Sequence, residues 1–254
     1  MSGLSQQPIP SLPTIPSIIE DVKAGKVRGI ARAITLLEVD GPDSQRVLAD
    51  LGPLSHHANI IGITGYPGAG KSTLIDQLIS VYRSQRKKIG ILAVDTSSPF
   101  TGGAILGDRI RMQNHSLDEQ VYIRSMATRG HRGGLAKATK GAIRVLEAAG
   151  FDVIVIETIG VGQEEGEIAQ LAQTVVLVVV PGLGDDVQAM KAGILEIADI
   201  VVVNKADHQG TTATIQALQG WVPTVLPSVA TKGEGIQSVV EAIAMHHEEV
   251  RSEK

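Results

Sequence analysis

Cysteine is absent from this sequence, which excludes disulfides, thiolate metal sites and a cysteine nucleophile. Aromatic residues make up only 2%, so any core must be assembled from Val, Ile, Leu and Ala, as suits a buried parallel sheet flanked by helices. Long apolar runs are missing: the longest, Thr174 to Val180, falls far short of the ~20 residues that a spanning helix needs. The N-terminus carries Pro8, Pro10, Pro13 and Pro16 and lacks a charged-then-apolar export pattern, so the expectation is a cytoplasmic protein with no membrane partner. Excess positive charge is lacking too, and a net charge of −4 weighs against a nucleic-acid partner. What remains is a globular composition, 43% hydrophobic and 20% charged, over 254 residues.

Three stretches differ in pattern. Residues 1–15 read as a disordered, Pro-rich tail. Residues 16–57 carry helical spacing in three stripes (Ile18, Ile19, Val22; Ile30, Ala33, Ile34, Leu37; Val47, Leu48, Leu51), parted by Gly25, Gly41 and Pro42. From residue 58 to 254, short β-branched runs alternate with helices. The strand candidates are Ile60–Thr64, Ile89–Val94, Val121–Arg124, Val153–Glu157, Val175–Val180, Ile200–Asn204 and Thr224–Leu226. Helices are expected over Ser72–Arg83, Leu135–Ala149 and Ile236–His247. Such alternation predicts an α/β doubly wound, mostly parallel sheet with a small N-terminal helical extension and ligands at the carboxyl ends of the strands.

Gly65-Tyr66-Pro67-Gly68-Ala69-Gly70-Lys71-Ser72 matches G-x-x-x-x-G-K-[ST] in full, after a strand and before the helix opening at Thr73. Glycines let backbone amides turn toward one point, and the helix N-terminus adds positive charge there. Lys71 is expected to reach the β- and γ-phosphates, and the Ser72 hydroxyl to ligate Mg2+. Asn204-Lys205-Ala206-Asp207, ending an apolar strand, matches the guanine-reading N-K-x-D tetrapeptide, in which the Asp carboxylate accepts from N1–H and the exocyclic amine. GTP and GDP are therefore expected over adenine nucleotides. Ser228, Val229 and Ala230, after the next strand, are placed to back the base with main-chain N–H groups.

Asp95, Asp108 and Glu157 stand at or near strand ends as acids for the magnesium shell. Glu157-Thr158-Ile159-Gly160 takes the place of the usual D-x-x-G, whose glycine amide contacts the γ-phosphate. Arg129-Gly130-His131-Arg132-Gly133-Gly134 is open to two readings, a mobile segment near phosphate or client and a solvated connection. His56-His57 and His246-His247 read as surface residues, because adjacent side chains on a helix diverge. Trp221 is expected to pack between the last helix and strand.

Together, Gly65–Thr73, Val94–Ser98, Thr101–Met112, Arg129–Leu135, Glu157–Gln163, Pro181–Asp186 and Asn204–Asp207 resemble the MeaB/ArgK family of P-loop GTPases, from about residue 16 to about residue 250. The P-loop is generic, whereas Leu106-Gly107-Asp108 followed by Glu157 through Gln163 is more specific. The resemblance implies a GTP-hydrolysing chaperone of an adenosylcobalamin-dependent acyl-CoA mutase, methylmalonyl-CoA mutase or a relative. Such a chaperone gates cofactor loading and protects or reactivates the mutase. The adenosylcobalamin belongs to that partner. Hydrolysis is expected to be slow alone and stimulated by the mutase. On the same implication Asp95, Asp108 and Glu157 match the magnesium acids, Gln163 could orient water, and Pro181 to Lys191 matches a mobile loop.

Thr96 departs from the family's usual proline, and Glu164-Glu165 is more acidic than its usual pattern. The family's homodimer is built by a helical arm beyond the GTPase domain. With Lys254 as the last residue, the expectation is a dimer through another surface, or a monomer. Two other functions fit the architecture: a nickel-type metallochaperone GTPase, which the lack of cysteine opposes, and an ATP-dependent kinase of a transport system, which Asp207 opposes.

Overall fold

Seven apolar runs lie side by side in one sheet: β1 (Asn59–Thr64), β2 (Ile89–Asp95), β3 (Val121–Ala127), β4 (Val153–Thr158), β5 (Thr174–Val179), β6 (Ile200–Asn204) and β7 (Thr224–Ser228). Their order is β3-β2-β4-β1-β5-β6-β7. Every pairing is parallel, so the sheet goes beyond the mostly parallel one expected. The computed structural model describes residues 13–55, 57–95, 115, 117–127, 134–158, 164–182 and 193–252. After β1 the chain moves to one side for β2, β3 and β4, then crosses β1 to lay down β5, β6 and β7. The switch point falls at the carboxyl end of β1, where open α/β sheets take their ligands.

Alternation along the strands decides which side chains face which layer. Ile61 and Ile63 of β1, Val153 and Val155 of β4, Val176 and Val178 of β5, and Ile200 and Val202 of β6 share one core. That core also holds Leu74, Ile75, Leu78, Ile79 and Tyr82 of α4 (Lys71–Ser84) and Ile236, Val239, Val240 and Ile243 of the last helix, Ile236–Ser252. Fully burying a side chain of this kind contributes about 2 kcal/mol. The same parity carries Glu157 of β4 and Asn204 of β6 onto the α4 face. The opposite face carries Leu92, Val94, Ile154 and Ile156.

Over β1 to β4 that second face is covered by the N-terminal helices α1 (Ile15–Lys23), α2 (Val27–Val39) and α3 (Pro42–Leu51) together with α5 (Gly134–Ala148). Ile18, Ile19, Val22, Ile30, Ala33, Ile34, Leu37 and Val47 are buried there, while Leu48 and Leu51 pack at the margin. Polar contacts fix the extension. Arg124 of β3 pairs with Glu38 of α2 at 2.6 Å. Glu147 of α5, only 3% exposed, accepts the Ser55 N–H at 3.0 Å, and its other oxygen lies 3.4 Å from the Ala58 nitrogen. A buried carboxylate thus holds the link between extension and β1, where losing its partners would cost about 1–3 kcal/mol. Among the described residues the remaining α-helices are α6 (Glu164–Leu171), α7 (Thr211–Gln219) and α8, the Ile236–Ser252 helix already met.

Two expectations fail on packing. Trp221 is 55% exposed at the turn after α7, since the core there is closed by Leu218 and Val222. His246 is half-buried rather than a surface residue: its Nδ1 lies 3.0 Å from the Thr174 hydroxyl and its Nε2 lies 3.3 Å from Asp199. His247 is half-buried as well. Element ends also move: β5 starts at Thr174 and stops at Val179, β7 continues to Ser228, and α8 continues to Ser252. Among the described residues, no helix is long and apolar enough to cross a membrane.

Candidate functional site

The loop between β1 and α4 is shaped by three glycines with positive φ: Gly65 at 134°, Gly68 at 78° and Gly70 at 94°. Two of them are also fixed by crowding. A Cβ on Gly65 would lie 2.1 Å from the Val178 carbonyl oxygen, and one on Gly70 would lie 2.3 Å from Asn204 Nδ2. The loop therefore sits pressed against the ends of β5 and β6. Gly70 caps α4, whose first turn holds no acidic residue. The amide dipoles at that terminus are thus left to favour an anion. Lys71 is 6% exposed and donates its ammonium to the Gly65 carbonyl at 2.7 Å and the Tyr66 carbonyl at 3.2 Å. The positive charge is held inside the loop. Ala69 is buried and Thr73 faces outward from the first turn of α4.

One residue after Lys71, the Ser72 hydroxyl donates to Glu157 Oε1 at 2.9 Å, and both residues are buried. The contact follows from topology. β4 lies directly beside β1, with Ile63 opposite Glu157, so the acid ending β4 meets the helix springing from β1. Behind it, Thr158 donates to the Thr64 hydroxyl at 3.0 Å and ties the two strand ends together. Asp95 ends β2, with Val94 opposite Thr158, so its backbone reaches the same end of the sheet one strand farther out. Asp108, Gly160 and Gln163 lie outside the described residues, as do Arg129, Arg132, Lys191 and His56.

Asn204 occupies the centre of the other half. Its amide group donates to the Ala69 carbonyl at 2.8 Å, while its oxygen accepts from the Ser228 hydroxyl at 3.2 Å and the Ala230 N–H at 3.1 Å. Three chain segments thereby meet at one buried side chain. Lys205 adopts φ 57° and donates to the Gly68 carbonyl at 2.9 Å, a second tie to the loop. Ser228 and Val229 are also engaged through the main chain: the Ser228 carbonyl takes the Ala206 N–H at 2.9 Å, and the Val229 N–H goes to the Glu234 carbonyl at 3.0 Å. Two of the main-chain donors expected to face a base are therefore used to brace Asn204 and close a turn.

Asp207 lies three residues beyond Asn204 and is exposed. Lys232, which belongs to no sequence motif, donates to Asp207 Oδ2 at 3.0 Å. That hydrogen bond is the first cause holding the Asp207 carboxyl below its usual range. The sequence signal was only a lysine four residues after Ser228. Chemically, the arrangement offers a cationic, amide-lined cradle, a hydroxyl and a carboxylate side by side, and an ionised carboxylate at one edge.

A sequence model of the family described as the methylmalonyl-CoA mutase-associated GTPase MeaB matches residues 30–253. A Pyrococcus abyssi protein is 53% identical over 247 residues, covering 92% of this chain and 76% of its own length. The mouse methylmalonic aciduria type A homolog, mitochondrial, is 40% identical over 190 residues, covering 69% of this chain and 46% of its own. Among solved structures, a LAO/AO transport system kinase superposes with a TM-score of 0.75 at 25% identity, covering 96% of this chain and 82% of that one.

Proposed function

The chain belongs to the MeaB family of methylmalonyl-CoA mutase-associated GTPases, and from that premise we propose that it is a GTP-switched chaperone of an adenosylcobalamin-dependent acyl-CoA mutase. In this reading the chain binds GTP and GDP with Mg2+ and hydrolyses GTP to GDP and phosphate. The nucleotide state gates loading of the mutase's cofactor and protects or reactivates the mutase. The cobalamin stays with the partner.

The observation that carries the nucleotide reading is Asn204, whose carboxamide joins the Ala69 carbonyl of the glycine-rich loop to the segment that ends in Asp207. Phosphate cradle and base reader are thereby braced as one unit. The α4 amides and Lys71 take the phosphates, with the Lys71 ammonium exchanging loop carbonyls for phosphate oxygens. Asp207 accepts from the guanine N1–H and 2-amino group, a pattern that adenine cannot offer.

The residues present fit magnesium. Ser72 and Glu157 bring two hard oxygen donors together at 2.9 Å, the donor type that magnesium takes. Ser72 would hold the ion together with Glu157, and Asp95 and Asp108 are the further acids proposed for it. When bound, the ion neutralises charge on the transferring phosphate. Glu157 fixes the Ser72 hydroxyl, Lys71 bears on the leaving side, Gly160 senses the γ-phosphate, and Gln163 orients the attacking water.

Competition against a fluorescent guanosine diphosphate in magnesium tests the first half: GDP should displace it at concentrations at least ~100-fold lower than ADP. Equal displacement removes the guanine reading and favours a kinase that uses ATP. For the second half, GTP turnover is measured with and without an adenosylcobalamin-dependent acyl-CoA mutase. Acceleration supports the chaperone role; no acceleration and no complex defeats it while leaving nucleotide binding intact.

A further inference from the structure

We infer that Lys232 is a positioning residue for base recognition, holding the Asp207 carboxylate in the plane and orientation in which it receives the guanine edge. The inference rests on the guanine reading above and goes beyond it, because the tetrapeptide names the carboxylate and nothing in it says what aims the carboxylate.

An isolated exposed ion pair would carry little weight, since two long side chains rarely stay in one geometry. Here both ends are built in advance. Lys232 ends a 3-10 turn, Ala230–Lys232, whose shape is over-determined. The Lys232 N–H donates to the Val229 carbonyl at 2.8 Å, the Gly233 N–H to the Ala230 carbonyl at 3.2 Å, and the Val229 N–H to the Glu234 carbonyl at 3.0 Å. Gly233 and Gly235 take φ 72° and 77°, and a Cβ on Gly235 would lie 2.3 Å from the Pro227 carbonyl oxygen. The Ala230 N–H of this same turn braces Asn204. One turn thus sets both the amide that ties base reader to phosphate loop and the ammonium that meets the base reader's carboxylate.

The Asp207 side is equally fixed. Lys205 is left-handed, the His208 N–H donates to the Lys205 carbonyl at 2.9 Å, and the Thr211 hydroxyl donates to the Ala206 carbonyl at 3.0 Å. A carboxylate oxygen has two lone pairs, so Oδ2 can accept from Lys232 and from a guanine N–H together. The Lys232 hydrogen bond disfavours rotation of the carboxylate and so meets part of the ordering cost before the nucleotide arrives. The titratable groups around the pair are His208 on the Asp207 side and Glu234 on the Lys232 side.

GDP affinity in magnesium, measured by the same competition for the wild type and for K232M, K232R, D207N and K232M/D207N, tests this. K232M should weaken GDP about fivefold, the upper end for an exposed pair. K232R should recover most of that loss, and K232M should add nothing in the D207N background. The acid limb of GDP binding should move to higher pH in K232M, because a carboxylate deprived of its cation protonates more easily. Unchanged or tighter GDP binding by K232M, or the same loss with and without Asp207, overturns the inference. If D207N keeps the full GDP-over-ADP preference, the guanine reading falls and the inference with it. If D207N loses the preference while K232M is silent, only the inference falls.

Discussion

A methyl group at Gly65 would meet a carbonyl oxygen of β5, and no rotamer relieves a clash with backbone. Gly65 and Gly70 are therefore required twice, by positive φ and by the nearness of two strand ends, whereas Gly68 is required by φ alone. Lys71 shows the reverse case, a long side chain whose buried ammonium is already satisfied by loop carbonyls. Because those bonds lie within the loop, replacing Lys71 by Ala should leave the fold intact. It should lower GTP and GDP affinity about 100-fold, the worth of one or two charge-assisted bonds to phosphate. Circular dichroism together with fluorescent-nucleotide titration checks this, and normal affinity in a folded variant would mean the phosphate site lies elsewhere. Lys71, Ser72, Glu157, Asn204 and Asp207 were readable as a string because their spacing is local. Lys232 and the Thr64–Thr158 pair were not, since each depends on which chain segments the fold brings together.

At the scale of elements, parity along the strands did most of the sorting. Ile61, Ile63, Val153, Val155, Ile200 and Val202 fall on the α4 face, and that phase carries Glu157 and Asn204 toward the site. Trp221 departs from the interior place expected of it because its position at the α7–β7 turn leaves it half in solvent. His246 departs from the surface place expected of it because α8 lays it across the starts of β5 and β6, and His247 beside it is half-buried as well. His247 gives that misplacement a measurable consequence. Burial, and then Arg251 one turn later, push its imidazole below the ordinary histidine range. The unfolded chain therefore takes up the proton at a higher pH than the folded chain does. Its contribution is complete above about pH 6.5 and is lost as pH falls through the lowered value. Urea midpoints between pH 7 and pH 5 should drop less steeply for His247→Gln than for the wild type, and parallel slopes would place the titration in other groups.

For the molecule as a whole, strand order is what the sequence conceals. Right-handed crossovers limit the possible sheets, yet they do not say that β4 slips between β2 and β1, which is the step that puts Glu157 beside Ser72. The resulting site draws on residues 65–72, 157, 204–207 and 228–232, so a ligand that spans it ties together segments from most of the chain's length. Such a ligand binds the folded state alone, and at a hundredfold excess over its dissociation constant it should add about 2.7 kcal/mol. For a domain near this size that corresponds to a melting shift of about 5–10 °C. GDP with magnesium should produce it, chelating the magnesium should shrink it, and ADP at the same concentration should give little. The Lys71→Ala protein, binding about 100-fold more weakly, should shift by no more than about 2 °C with either nucleotide. Equal shifts with ADP and GDP in the wild type would mean that the half of the site containing Asn204 and Asp207 contributes nothing to choosing the base, and that the ties from Asn204 and Lys205 to the glycine loop serve folding alone.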